Sequence, residues 1–127
     1  MNTDKRELIE HALTEQVIGV FYEVHRELGH GFLETVYENA MTIALNESGL
    51  SVKQQAPIAV TFRNQFIGEF RADLLVENRL IIELKAVSSL SAAHEVQLVN
   101  YLRATGIRVG LLLNFGARAQ FKRRVFG

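Results

Sequence analysis

Glu83 and Lys85 stand two residues apart inside Leu80-Ile81-Ile82-Glu83-Leu84-Lys85-Ala86-Val87, a run that is otherwise apolar. A run apolar at both parities suits a strand buried on both faces. Strand side chains alternate with period two, so Glu83 and Lys85 point to one face. Upstream, residues 66–76 have the pattern of a second strand, and Glu77-Asn78-Arg79 offers a turn. A hairpin centred on Asn78 sets Asp73 opposite Glu83. Two carboxylates and an ammonium then share a small patch of sheet. Unpaired buried charge is costly, and neighbouring carboxylates repel. A divalent cation relieves both. The competing reading makes Glu83 and Lys85 an exposed pair on an edge strand and Asp73 a turn residue.

The elements that would position this patch follow in chain order. Asp4 with Glu7 has capping-box spacing, and Thr14-Glu15 offers a second helix start. Val17, Val20, Phe21, Val24 and Leu28 recur at helical spacing up to Gly29, a C-cap candidate. A second helix spans about residues 33–48, with Leu33, Val36, Tyr37, Ala40, Met41, Ala44 and Leu45 as its apolar stripe. Glu34 falls inside that stripe on a helical wheel. It is either a first-turn acid favoured by the helix dipole, an acid paired with an arginine, or a group aimed at the sheet. Residues 52–62 form one strand bent at Pro57 or two, and Asn64-Gln65 is the turn candidate before the 66–76 strand. A three-stranded antiparallel meander is the simplest topology. Ser91 then caps a helix over about 92–105, closed by Gly106. His94, Gln97 and Tyr101 share one face of it. That face either covers the carboxylate patch or is solvated. Residues 109–115 are a further buried strand, and the helix between it and residue 87 suits a right-handed parallel crossover. The basic tail, Arg118, Lys122, Arg123 and Arg124 with Phe121 and Phe126, either contacts phosphates or packs as a terminal strand.

Length and composition set outer limits. A chain of 127 residues, 48% hydrophobic with one proline, suits a single globular domain over residues 1–127. The absence of cysteine excludes disulfides, thiolate metal sites and a cysteine nucleophile. No signal-peptide pattern or membrane-length apolar run is present, so a soluble cytoplasmic protein with no membrane partner is expected. The zero net charge conceals an asymmetry. Residues 1–50 hold nine acids and three bases, whereas residues 51–127 hold five acids and eleven bases. The basic half carries the carboxylate patch, which is compatible with an anionic substrate; mutual balancing of the halves explains it as well.

Asp73 followed by Glu83-Leu84-Lys85 resembles the signature of the PD-(D/E)xK nuclease superfamily. Gln97-Leu98-Val99-Asn100-Tyr101 matches the Gln-x-x-x-Tyr element of its exonuclease-like branch. Gly31-Phe32-Leu33-Glu34-Thr35-Val36-Tyr37 looks like the motif that names the GxxExxY family within that superfamily. Ala72 stands where the signature proline would be. The resemblance covers roughly residues 14–115. It implies an α/β fold with a restriction-endonuclease-like core: a central mixed β-sheet, an antiparallel meander plus one parallel strand, flanked by helices. It further implies a nuclease dependent on Mg²⁺ or Mn²⁺ with Asp73, Glu83 and Lys85 at its centre. Asp73, Glu83, Glu34 and the Leu84 carbonyl are the expected metal ligands. Gln97 and Tyr101 belong to the catalytic set, and with His94 and Arg71 they are expected to contact substrate. The expected partner is nucleic acid, DNA before RNA, and a homodimer is compatible with the size. The alternative is a catalytically silent module binding nucleic acid or protein.

Overall fold

A computed structural model describes residues 8–127; the Asp4–Glu7 capping box lies outside them. Three helices and five strands follow in the order α1 (His11–Leu28), α2 (Glu34–Glu47), β1 (Val52–Phe62), β2 (Gln65–Val76), β3 (Leu80–Lys85), α3 (Ala92–Thr105), β4 (Val109–Phe115) and β5 (Ala119–Val125). The strands form one sheet in chain order. β1–β2, β2–β3 and β4–β5 pair antiparallel, and β3–β4 pair parallel through the α3 crossover. This is the mixed sheet expected from the sequence. The basic tail resolves as β5, an edge strand.

Each face of the sheet has its own core. Val17, Phe21, Tyr37, Met41 and Leu45 from α1 and α2 pack on Leu74, Ile82, Leu84, Leu111 and Leu113. Leu98, Tyr101 and Leu102 from α3 pack on Ala56, Ile58, Ala72, Ile81 and Leu112. Alternate residues of β3 and β4 serve opposite cores, which is why both strands are apolar throughout. Gly110 sets how near α3 can come, because a Cβ there would lie 2.6 Å from Leu98 Cδ1.

Several local expectations shift. The first described helix begins at His11 after Glu10 turns through the left-handed region (φ 52°). The β1–β2 turn is Arg63-Asn64, both at positive φ, one residue earlier than expected. β1 is continuous through Pro57, and its irregularities lie at Gln55 (φ 51°) and at Val60/Thr61. Leu33 and Val36, counted in the apolar stripe of α2, are 77% and 38% exposed. Leu33 is the N-cap residue and Val36 lies in the first turn of α2, ahead of Tyr37, the first buried residue of that helix.

The connection between α1 and α2 is stitched by Tyr37. Its hydroxyl donates to Gly29 O (2.7 Å) and accepts from Phe32 N–H (3.2 Å). Its ring stacks on Phe115 at 4.3 Å between centroids. The tyrosine of the Gly31–Tyr37 motif therefore fixes the entry angle of α2 on the sheet.

Candidate active site

The β2–β3 hairpin has its centre at Asn78, as the sequence suggested: Val76 pairs with Leu80, Leu75 with Ile81 and Leu74 with Ile82. The next rung joins Asp73 to Glu83 through side chains instead of backbone. Asp73 N–H donates to Glu83 Oε2 (2.7 Å), and Leu84 N–H donates to Asp73 Oδ2 (2.8 Å). The strands fork at this rung, and the two carboxylates span the fork. Each keeps one oxygen, Asp73 Oδ1 and Glu83 Oε1, outside these two bonds.

Burial makes the fork electrostatically strained. Glu83 is only 4% exposed. Desolvation, and then the charge of Asp73, push its carboxyl from 4.5 up to about 8; the Asp73 N–H bond and Lys85 pull in the opposite direction, and Glu38 adds a further push upward. At neutral pH Glu83 thus tends to hold its proton. The Tyr101 phenol is also raised, by burial and then by Glu83 and Asp73, against a hydrogen bond from Gln97. That electrostatic influence sets Tyr101 beside the carboxylate pair.

A polar ring closes the β1 side. Gln55 Nε2 donates to Glu38 Oε1 (2.7 Å) and reaches Asp73 Oδ1 at 3.4 Å. Gln54 Nε2 donates to Glu38 Oε2 and Asn39 Oδ1, both at 2.9 Å. The left-handed turn at Gln55 aims two successive glutamines at one acid. Arg71 Nη1 donates to Gln55 O (3.0 Å), which bolts this irregular rung to β2.

Behind the fork, Asn114 fixes the exit of β3. Its buried amide accepts from Val87 N–H (3.0 Å) and donates to Val87 O (2.9 Å). Lys85 pairs in register with Asn114, so the clamp holds the backbone two residues after the lysine. Gly116 packs against the same loop, where a Cβ would come within 2.4 Å of Val87 O. His25 Nε2 donates to Gly116 O (2.8 Å), which fixes a proton on that nitrogen.

The fold brings Asp73, Glu83, Lys85 and Tyr101 into one neighbourhood, and Leu84 joins it through its N–H. Lys85 is half-buried and close enough to Glu83 to lower its pKa. Gln97 reaches the group through Tyr101. Glu34 is the first residue of α2 and is exposed; Glu38, one turn later, is the α2 acid that approaches the fork. His94 Nδ1 accepts from Ser91 N–H (3.2 Å) in a capping box at the start of α3. Among the described residues, no three acidic or histidine side chains are already drawn together as a cation would draw them.

Glu38, Gln55 and Asn114 are the site residues that pattern reading passed over. Glu38 carried a signal, since it follows Glu34 by one helical turn. Gln55 carried none, because its role depends on a backbone irregularity. Asn114 was a polar residue in a fully apolar run, a mark that a buried amide with designated partners leaves.

The family model of the PD-(D/E)XK nuclease superfamily matches residues 11–125. The chain belongs to that superfamily. Among solved structures it is similar to the crystal structure of SSO0001 (TM-score 0.58, 18% identity, 95% of this chain and 61% of that one). The chain thus spans less than two thirds of that neighbour. A 1.6 Å structure of Hjc, a Holliday junction resolvase from the archaeal hyperthermophile Archaeoglobus fulgidus, matches at TM-score 0.46 and 21% identity, over 72% of this chain and 71% of that one. No curated protein matches the chain. The likeness to SSO0001 supports the α/β fold expected from the sequence. Among the described residues, no helix is long and apolar enough to cross a membrane.

Proposed function

We propose that this domain is a divalent-metal-dependent phosphodiesterase acting on nucleic acid, of the GxxExxY type within its superfamily. The supporting observation is the fork: Glu83 buried and Asp73 half-buried, their carboxylates bridging the two strands, with Lys85 on the face of Glu83, where a structural sheet would carry aliphatic residues. The donor set fits a hard cation, because every candidate ligand is oxygen. Asp73 and Glu83 would hold Mg²⁺ or Mn²⁺ with the Leu84 carbonyl, and an acid of α2, Glu38 or Glu34, would complete the shell directly or through water. Bound there, the cation would offset the carboxylate charge, polarise a phosphoryl oxygen and acidify water.

The chain's own groups supply the rest. Glu83 must release its proton before it can ligate, since its carboxyl is held up to about 8. Lys85 presents an ammonium to the phosphoryl oxygens, where negative charge grows in the transition state. Tyr101 and Gln97 hold the phosphate from the α3 side, and Arg71 and His94 are outer contacts to the strand. The Gln55 amide bridges Asp73 and Glu38 and would be replaced by a cation held by these two acids. The basic balance of residues 51–127 favours a polyanion, with DNA the first substrate to try.

A panel of single-stranded, duplex and branched DNA and RNA, each with Mg²⁺ or Mn²⁺, tests this reading. Cleavage should require the ion and disappear in Glu83→Ala. Equal cleavage by wild type and Glu83→Ala would assign the activity to a contaminant.

A further inference from the structure

A groove of ≈ 570 Å³ runs between α3 and the β1–β2 hairpin. Its walls are mixed. Phe70 and Val60 line it from the hairpin, and Tyr101, Gln97, Asn100 and Arg103 line it from α3. Tyr101 belongs to both places, because Glu83 and Asp73 are near enough to act on its phenol. The rings of Phe70 and Tyr101 are 5.8 Å apart and tilted by 39°. Phe70 is nevertheless 49% exposed, so about half of its surface remains open to a ligand.

The hairpin continues this surface outward. Phe62, Phe66 and Ile67 are 57%, 65% and 63% exposed. Arg63 lies 4.8 Å above the Phe62 ring at the tip. Arg103 lies 5.5 Å from the Phe126 ring and forms no ion pair with a described acid. Exposed aromatics interleaved with arginines are the chemistry of strands that carry unpaired bases: rings stack on bases and cations follow phosphates. A duplex buries its base faces and offers nothing to Phe70. The amides of Gln97 and Asn100 supply donors and acceptors for the edge of a base, and a cavity of this size admits one nucleotide.

We propose that the groove is a nucleobase pocket: an unpaired base next to the scissile phosphate stacks on Phe70, with Asn100 at its edge and Arg103 on the adjoining phosphate. This rests on the nuclease reading of the fork and specifies its substrate as a strand that is unpaired at the point of cutting.

Binding measured without turnover separates the two claims. The probe is a single-stranded oligonucleotide of about 16 nucleotides carrying 2-aminopurine, titrated in EDTA with full-length protein, against a blunt duplex of the same sequence. Wild type should quench the probe fluorescence by stacking. Phe70→Ala should weaken single-strand binding by about fivefold to a hundredfold, the range that base–aromatic stacking supplies. Duplex binding should not change, and Phe70→Trp should restore the single-strand affinity. Asn100→Ala should change the preference among bases at one position. Unchanged single-strand affinity in Phe70→Ala overturns the pocket. So does light scattering that shows Phe70→Ala splitting a dimer, because a second copy then occupies the groove. Cleavage that survives with Phe70-independent binding sinks the pocket and leaves the nuclease standing. Phe70-dependent binding without cleavage in any ion does the reverse.

Discussion

Replacing Glu83 with glutamine should stabilise the metal-free protein at alkaline pH. Glutamine retains an oxygen for the Asp73 N–H that now bonds Glu83 Oε2 at 2.7 Å, and its amide can donate to Asp73. What it removes is a second ionisable acid in a buried fork. The folded protein holds the Glu83 proton up to about pH 8, whereas the unfolded chain releases it near 4.5. Between those values the folded state binds more protons, so stability falls as pH rises and levels off above about 8. At 1.36 kcal/mol per pH unit, the ceiling is about 5 kcal/mol, which relaxation and water entry on ionisation reduce. With an unfolding entropy of about 2.1 cal/mol/K per residue, a domain of this length gives roughly 0.3 kcal/mol per degree, so the ceiling is about 18 °C in Tm. Thermal melts of wild type and Glu83→Gln in EDTA, from pH 5 to pH 9, isolate this contribution because other titrating groups are common to both. The two Tm values should be close at pH 5 and diverge by about 9 °C by pH 9, half the ceiling surviving relaxation. A difference that does not change with pH would refute the strained-pair reasoning.

Mn²⁺ at saturating concentration should cancel much of that alkaline loss in wild type, and calorimetry should detect binding that Asp73→Ala abolishes. Glu38→Gln should lower cleavage at subsaturating metal more than Glu34→Gln, since Glu38 is the α2 acid near the fork; the reverse order in a metal titration would return the role to Glu34. Tyr37→Phe removes two part-buried hydrogen bonds and should cost about 1–3 kcal/mol in urea unfolding, with cleavage at low temperature unchanged. Asn114→Ala strands both Val87 backbone groups; it should cost about 2 kcal/mol or more and also lower the cleavage rate, because the exit of β3 no longer holds Lys85.

The order and type of the elements were legible because periodicity reports burial, and burial here is regular. β3 and β4 feed two cores, and their continuous apolar runs said so. The Asp73–Glu83 pairing was legible because hairpin register follows from turn position. What the sequence concealed lies where regularity breaks. The wheel put Glu34 in a buried stripe, but the stripe is buried only from Tyr37 onward, and Leu33 and Val36 before it are exposed. Gln55 meets Asp73 only because β1 takes a left-handed residue there, and no propensity favours glutamine in that conformation. His94 shares a helix face with Gln97 and Tyr101 by spacing, and its ring also caps α3, a local bond that spacing alone does not reveal.

Lys85 gives the most direct test of the central claim, because it serves chemistry without being a candidate metal ligand. Lys85→Ala should bind Mn²⁺ and oligonucleotide about as wild type does, while cleavage in Mn²⁺ falls by roughly a hundredfold or more, the loss expected when a transition-state charge partner is removed. Cleavage by purified Lys85→Ala at the wild-type rate would contradict the account, and the fork would then be a structural feature of a binding domain.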